Sequence, residues 1–158
     1  GRGKEFADLM AGRDTPDPQA KATFERSRLD HALRELSPHR ELLALHRTLL
    51  RLRREVPALA NLSWDELTAR TVPDQDVLLL HRWWGDDAVW AAFNLAGRPV
   101  AFQAPLPPGD WRLLLDSADA LWLGPGASVP PHLTGGDVVA LALPPHSFAL
   151  FHSTAPAR

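Results

Sequence analysis

Apolar positions along the chain change their period near residue 61. Leu42, Leu45, Leu49, Leu52 and Val56 recur at spacings of three and four, and Leu43 and Leu50 widen this stripe into a broad apolar face. Arg47, Arg51 and Arg54 lie on the opposite side. The spacing predicts a helix over residues 37–55. Ser37 offers a side-chain oxygen as N-cap, Pro38 stands where a missing N–H costs nothing, and Pro57 stops the run. Such a wide apolar face needs a large partner surface, and residues 1–61 supply too little of one. Upstream, residues 4–10 read as a short helix that Gly12 terminates, 13–18 as a loop punctuated by Pro16 and Pro18, and 20–36 as irregular and partly helical.

From about Leu62 onward the runs shorten to strand length: 77–84, 87–95, 100–104, 111–116, 138–143 and 147–152. They are rich in β-branched or aromatic residues. Gly85-Asp86, Ala96-Gly97, Pro107-Pro108-Gly109, Gly124-Pro125-Gly126 and Gly135-Gly136 separate them as turn signals. Val89, Ala91, Phe93 and Leu95 alternate onto one face. Strands with no helix between them predict an antiparallel sandwich or barrel. The chain therefore divides at residues 1–61 and 62–158, without an internal repeat.

Composition changes this picture mainly by exclusion. Hydrophobic residues make up 45% and charged residues 23%, enough apolar matter for a real core. A net charge of −2 leaves no basic footprint for nucleic acid and no polybasic patch for a membrane. No apolar run is long enough to span a bilayer. Cysteine is absent, which removes disulfides, thiolate metal sites and thiol nucleophiles together. The amino end is charged and lacks the apolar segment of a secretory leader. It begins with Gly1, as expected of a start inside a longer reading frame.

Candidate chemistry is sparse. His39 and His46 are seven apart on the predicted helix, and His146 and His152 flank one strand; neither pair has zinc-motif spacing with a third ligand. Asp86-Asp87 reads as a solvated turn, short of the oxygen ligands calcium needs. Neither Ser27 nor Ser147 sits in a nucleophile elbow. The expectation is no metal and no cofactor. The six Trp residues suit the sandwich core, although adjacent Trp83 and Trp84 must point to opposite faces, leaving one able to meet a sugar ring.

Several segments carry a resemblance. Gly1-Arg2-Gly3-Lys4-Glu5-Phe6 resembles the GRRxEF segment after the eighth barrel strand of the trehalohydrolases, within the α-amylase superfamily. Residues 15–30, TPDPQAKATFERSRLD, resemble their VPDPQDPATFERSKLDW segment, with Thr15, Ala20-Lys21 and His31 as departures. Residues 39–55 are similar to the family's HxxLLxLYRxLLxLRR helix, with His46 in place of Tyr. Residues 76–83 and 89–95 resemble the first sandwich strands, and 143–151 the closing one.

The resemblance implies the last helical segment of a (β/α)8 TIM barrel followed by an all-β antiparallel carboxy-terminal sandwich. Residues 1–61 would form the end of the barrel and 62–158 the sandwich. It implies a cytoplasmic parent enzyme that hydrolyses the α-1,4 bond beside a terminal trehalosyl unit of a malto-oligosyltrehalose or maltodextrin substrate. The preceding barrel segment is the implied partner, with no nucleic acid and no membrane.

Retaining glycosidases need two carboxyl groups about 5 Å apart. The family's three acidic catalytic positions precede the eighth strand, so no catalytic residue is expected in this chain. Glu5, Asp17, Gln19 and Arg26 fall in the implied last strand-to-helix loop, on a barrel's catalytic face, as candidate sugar-binding or supporting groups. The plainer expectation for 16–26 is bracing of that loop. Two other functions remain open: an α-1,6 branching or debranching enzyme, and a non-catalytic carbohydrate-binding or structural module.

Overall fold

The computed structural model describes residue 17 and residues 19–154. The expected helix at 4–10 and most of the loop at 13–18 lie outside the described residues. Helix α1 (Lys21–Ser27) and a 3-10 turn (His31–Glu35) form the irregular stretch. They lead into α2 (His39–Glu55) and the short α3 (Pro57–Ala60).

One detail of α2 differs from expectation. Its N-cap is Pro38, which makes no side-chain cap bond, and Ser37 lies one residue outside. The Ser37 hydroxyl lies near the Glu41 carboxylate and, after Arg40, helps to lower its pKa. Pro57 ends α2 as expected, then opens α3 from its first turn, where its missing N–H is no loss.

Eight strands follow: β1 (Leu67–Thr71), β2 (Val77–Trp84), β3 (Asp87–Asn94), β4 (Val100–Pro105), β5 (Asp110–Asp116), β6 (His132–Thr134), β7 (Val138–Leu143) and β8 (Ser147–Ser153). Six form one antiparallel sheet in the order β1-β2-β3-β8-β5-β6, and β4 pairs with β7 in a second. The six predicted strands match β2, β3, β4, β5, β7 and β8 to within one residue at each end. β1 and β6 were not foreseen. The run Leu67-Thr-Ala-Arg-Thr71 is almost wholly exposed at a sheet edge, and β6 has three residues, so neither shows an apolar alternation.

The two sheets enclose the main core. Val77, Leu79, Trp90, Trp111 and Phe151 of the large sheet meet Val100, Phe102, Leu141 and Leu143 of the small one. The other face of the large sheet is also covered. There Val89, Ala91, Leu115 and Leu150 pack with Val56 and Ala58, and with Leu45, Leu49 and Leu52 of α2. Phe93 and Phe148 stack beside them at a ring-centroid distance of 5.3 Å. Central strand β3 is consequently buried on both faces, whereas β4 alternates strictly because one of its faces meets water.

Three polar residues tie the layers. Buried Asn94 donates from Nδ2 to the carbonyls of Arg98, Leu143 and Pro144, and its Oδ1 accepts the Ala96 N–H. Buried Asp116 accepts from the N–H groups of Ala118 and Ser128 and from the Ser128 hydroxyl, holding the β5–β6 connection. Asp87 accepts the Ala58 N–H at 2.8 Å through Oδ1, while its Oδ2 lies 2.6 Å from His152 Nε2. That pairing clamps α3 to the large sheet.

Candidate functional site

The sequence candidates occupy the segment before α2. Asp17 opens a turn in which its Oδ1 accepts the Gln19 N–H at 2.9 Å, and its backbone carbonyl accepts the Ala20 N–H. Asp17 and Gln19 are thus brought together, both exposed. Arg26 lies on α1, exposed, with Nε donating to the Ala22 carbonyl at 3.4 Å. No hydrogen bond or ion pair among the described residues joins Arg26 to the Asp17 turn. Glu5 lies outside the described residues. Local backbone chemistry shapes these groups: an Asx turn for Asp17 and a one-turn helical bond for Arg26.

Around them lies a surface with unusual apolar content. Phe24, Leu29, Leu33 and Leu36 are exposed in the same segment. On α2, Leu45, Leu49 and Leu52 face the sheet, while Leu42 and Leu50 remain 53% and 55% exposed. The partner surface that the wide helix face demanded is therefore supplied in part by the large sheet, and part of the stripe stays open. Arg47, Arg51 and Arg54 are exposed, as expected of a solvated face. Beside this face Arg40 pairs with Glu41 and, with the Ser37 hydroxyl, holds the Glu41 carboxyl below its ordinary range.

Two histidines have structural partners. His46 Nδ1 lies 2.8 Å from the Leu42 carbonyl of its own helix, and His152 is engaged by Asp87. No group of three or more His, Asp or Glu side chains able to hold a metal occurs among the described residues. Trp90 and Trp111 are buried in the core and Trp83 and Trp122 pack at its margins. Trp64 and Trp84 are exposed, so Trp84 is the outward member of the Trp83–Trp84 pair. No helix among the described residues is long and apolar enough to cross a membrane.

No family model matches the chain. Individual relatives do. A malto-oligosyltrehalose trehalohydrolase of Deinococcus radiodurans is 40% identical over 136 residues, 82% of this chain and 22% of that protein. Another, from Rhizobium sp. strain M-11, is 36% identical over 83% of this chain and 21% of its own length. A third, from Brevibacterium helvolum, is 35% identical over 97% of the chain. The chain belongs to the malto-oligosyltrehalose trehalohydrolase family.

It corresponds to a carboxy-terminal part, and spans about a fifth of the length of the curated relatives it matches. Among solved structures, a Salmonella typhimurium protein assigned as an α-amylase aligns over 97% of this chain and 22% of its own, with 28% identity and a TM-score of 0.63. An α-amylase from H.orenii aligns over 86% of the chain with a TM-score of 0.59; at 18% identity this shows likeness of fold alone. The antiparallel β architecture is accordingly that of an α-amylase carboxy-terminal β domain.

Proposed function

We propose that this chain is the carboxy-terminal portion of a glycoside hydrolase that cleaves the α-1,4 bond next to the terminal trehalosyl unit of a malto-oligosyltrehalose, releasing trehalose. Residues 1–61 complete a (β/α)8 barrel, with α2 as its last helix, and residues 62–158 form the sandwich that braces it. The single observation that carries this reading is the two-sided apolar face of α2. Leu45, Leu49 and Leu52 are satisfied by the sandwich, whereas Leu42 and Leu50 still await a partner. Together with exposed Phe24, Leu29, Leu33 and Leu36 of the preceding segment they give residues 24–50 an apolar surface of the kind that is usually covered, and a barrel preceding α2 in the same protein would cover it.

In this arrangement the carboxyl pair that attacks and protonates the glycosidic bond belongs to the barrel. Glu5, Asp17, Gln19 and Arg26 stand in the final strand-to-helix loop, on the side where barrel enzymes bind substrate. The exposed state of Asp17, Gln19 and Arg26, with only local partners, suits groups that await a neighbouring loop or a sugar hydroxyl. The substrate is a neutral maltodextrin-type chain, the setting is cytoplasmic, and neither nucleic acid nor membrane takes part.

The test compares the 158-residue chain with the parent protein that carries it, using a malto-oligosyltrehalose as substrate and trehalose release as readout. The parent should release trehalose and the chain alone should not. Release by the isolated chain would refute the placement of the carboxyl pair. A parent active only on α-1,6 branch points would establish a branching or debranching enzyme instead, and a parent with no hydrolase activity would leave a binding module.

A further inference from the structure

A second feature lies on the face of the large sheet turned away from α2. The six-stranded sheet overhangs the two-stranded one, and under that overhang is a cavity of about 510 Å³. In the β1–β2 register Thr68 stands opposite His81 and Arg70 opposite Leu79, a core residue facing the small sheet. Thr68, Arg70, His81 and Trp83 thus share the inner face, with Trp90 behind them and Pro107 of the β4–β5 connection closing the far side. The volume falls in the range of about 300–1,000 Å³ common for small-ligand sites.

The wall chemistry is specific. The His81 ring is held between two indoles, 5.0 Å from Trp83 and 5.9 Å from Trp111, measured between ring centroids. Burial pushes the His81 imidazole below its ordinary pKa, so it is neutral near pH 7 with one donor and one acceptor nitrogen. Its Nε2 is buried without a hydrogen-bond partner among the described residues. Thr68 and Arg70 are exposed at the mouth and offer a hydroxyl and a fork of N–H donors. No acidic residue lines the cavity, so a cation would find no counter-charge. A flat indole flank beside a rim of neutral donors and acceptors, with a single guanidinium, matches a ring that is apolar on its faces and hydroxylated at its edge.

We propose that this cavity is a secondary saccharide site that takes one pyranose ring, with Trp83 against the ring face and Thr68, Arg70 and His81 toward its hydroxyls. That the ring is a glucosyl unit of an α-1,4-glucan rests on the reading given under Proposed function. The cavity opens on the face opposite α2, so a barrel docked on the helix side leaves it accessible. It would hold a distal part of a long glucan chain while the barrel works on its end.

The test is a titration of the 158-residue chain with maltotriose, followed by backbone amide shifts and tryptophan fluorescence. Saturable shifts should appear at Thr68, Arg70, His81 and Trp83, with a change in indole emission. Trp83→Leu should abolish binding. Because Trp83 also packs against the core, Thr68→Val and Arg70→Ala at the exposed mouth supply the decisive comparison. Thr68→Val should weaken binding about fivefold, the effect of losing one neutral hydrogen bond, and Arg70→Ala about tenfold or more, the effect of losing a charged donor, with the amide spectrum otherwise unchanged. Absence of saturable shifts at these residues, or unaltered affinity in both mouth variants, would overturn the site. Trehalose release by the parent protein is measured separately, so a silent cavity leaves the hydrolase reading intact and an occupied one does not establish it.

Discussion

Replacing Asn94 by Asp changes one amide nitrogen to oxygen, yet the structure places that atom against three carbonyls. Asn94 is 1% exposed, and Nδ2 lies 2.9, 3.1 and 2.7 Å from the oxygens of Arg98, Leu143 and Pro144. Three acceptors on one side and the Ala96 N–H on the other fix the orientation of the amide. In Asn94→Asp the two donor hydrogens vanish, at roughly 1 kcal/mol per hydrogen bond, and a buried carboxylate oxygen faces carbonyls that no longer have donors. The combined loss should be about 3–5 kcal/mol at pH 7.

The pH dependence gives this prediction its specificity. Burial and facing carbonyls raise the folded-state pKa of the introduced carboxyl above its unfolded value of about 3.9. The folded variant then binds more protons than the unfolded one. Its deficit against the parent chain is greatest above the raised pKa and shrinks as pH falls through it. Urea unfolding of both proteins at pH 7 and at pH 4.5 should show the gap narrowing by more than about 1 kcal/mol. A gap under about 1 kcal/mol at pH 7, or one equal at both pH values, would refute the reasoning from Asn94 geometry.

Two further outcomes follow from the packing. Leu49→Ala, which removes a side chain seated between α2 and the large sheet, should cost about 2 kcal/mol in the isolated chain, whereas exposed Leu42→Ala should cost less than about 0.5. Comparable thermal-melt losses for the two would mean α2 is not seated on the sheet as described. His81 has a folded pKa depressed by burial, so its neutral form contributes stability above the unfolded value near 6.5, and this is lost as pH falls toward the folded value. His81→Phe, which keeps a ring between the two indoles, should therefore show a shallower stability loss below pH 6.5 in denaturant titrations; an unchanged slope would remove His81 as its source.

Much of this architecture is written locally. The spacing of Leu42, Leu45, Leu49 and Leu52 sets the axis and apolar face of α2, and five turns containing Gly or Pro separate the strand-length runs. Local pattern suffices there because backbone period alone decides which side chains share a face. The segment 15–30 likewise carries the family resemblance in its own residues. Edge strands β1 and β6 escape such reading, since their residues meet water and hydrogen-bond only to neighbours distant in sequence.

Sheet order was decided by tertiary structure. It places β8 between β3 and β5, buries β3 on both faces and brings His152 of the last strand to Asp87 of the third. The same order leaves the β1–β2 end of the large sheet uncovered, drawing Thr68, Arg70, His81 and Trp83 around one cavity. Nothing in their spacing signals a site, because residues on adjacent strands meet through register. For Asp17, Gln19 and Arg26 the residues supply only local turns and bonds. What the sequence alone determined is which faces must be covered. Which surfaces cover them depends on long-range pairing that no local period encodes.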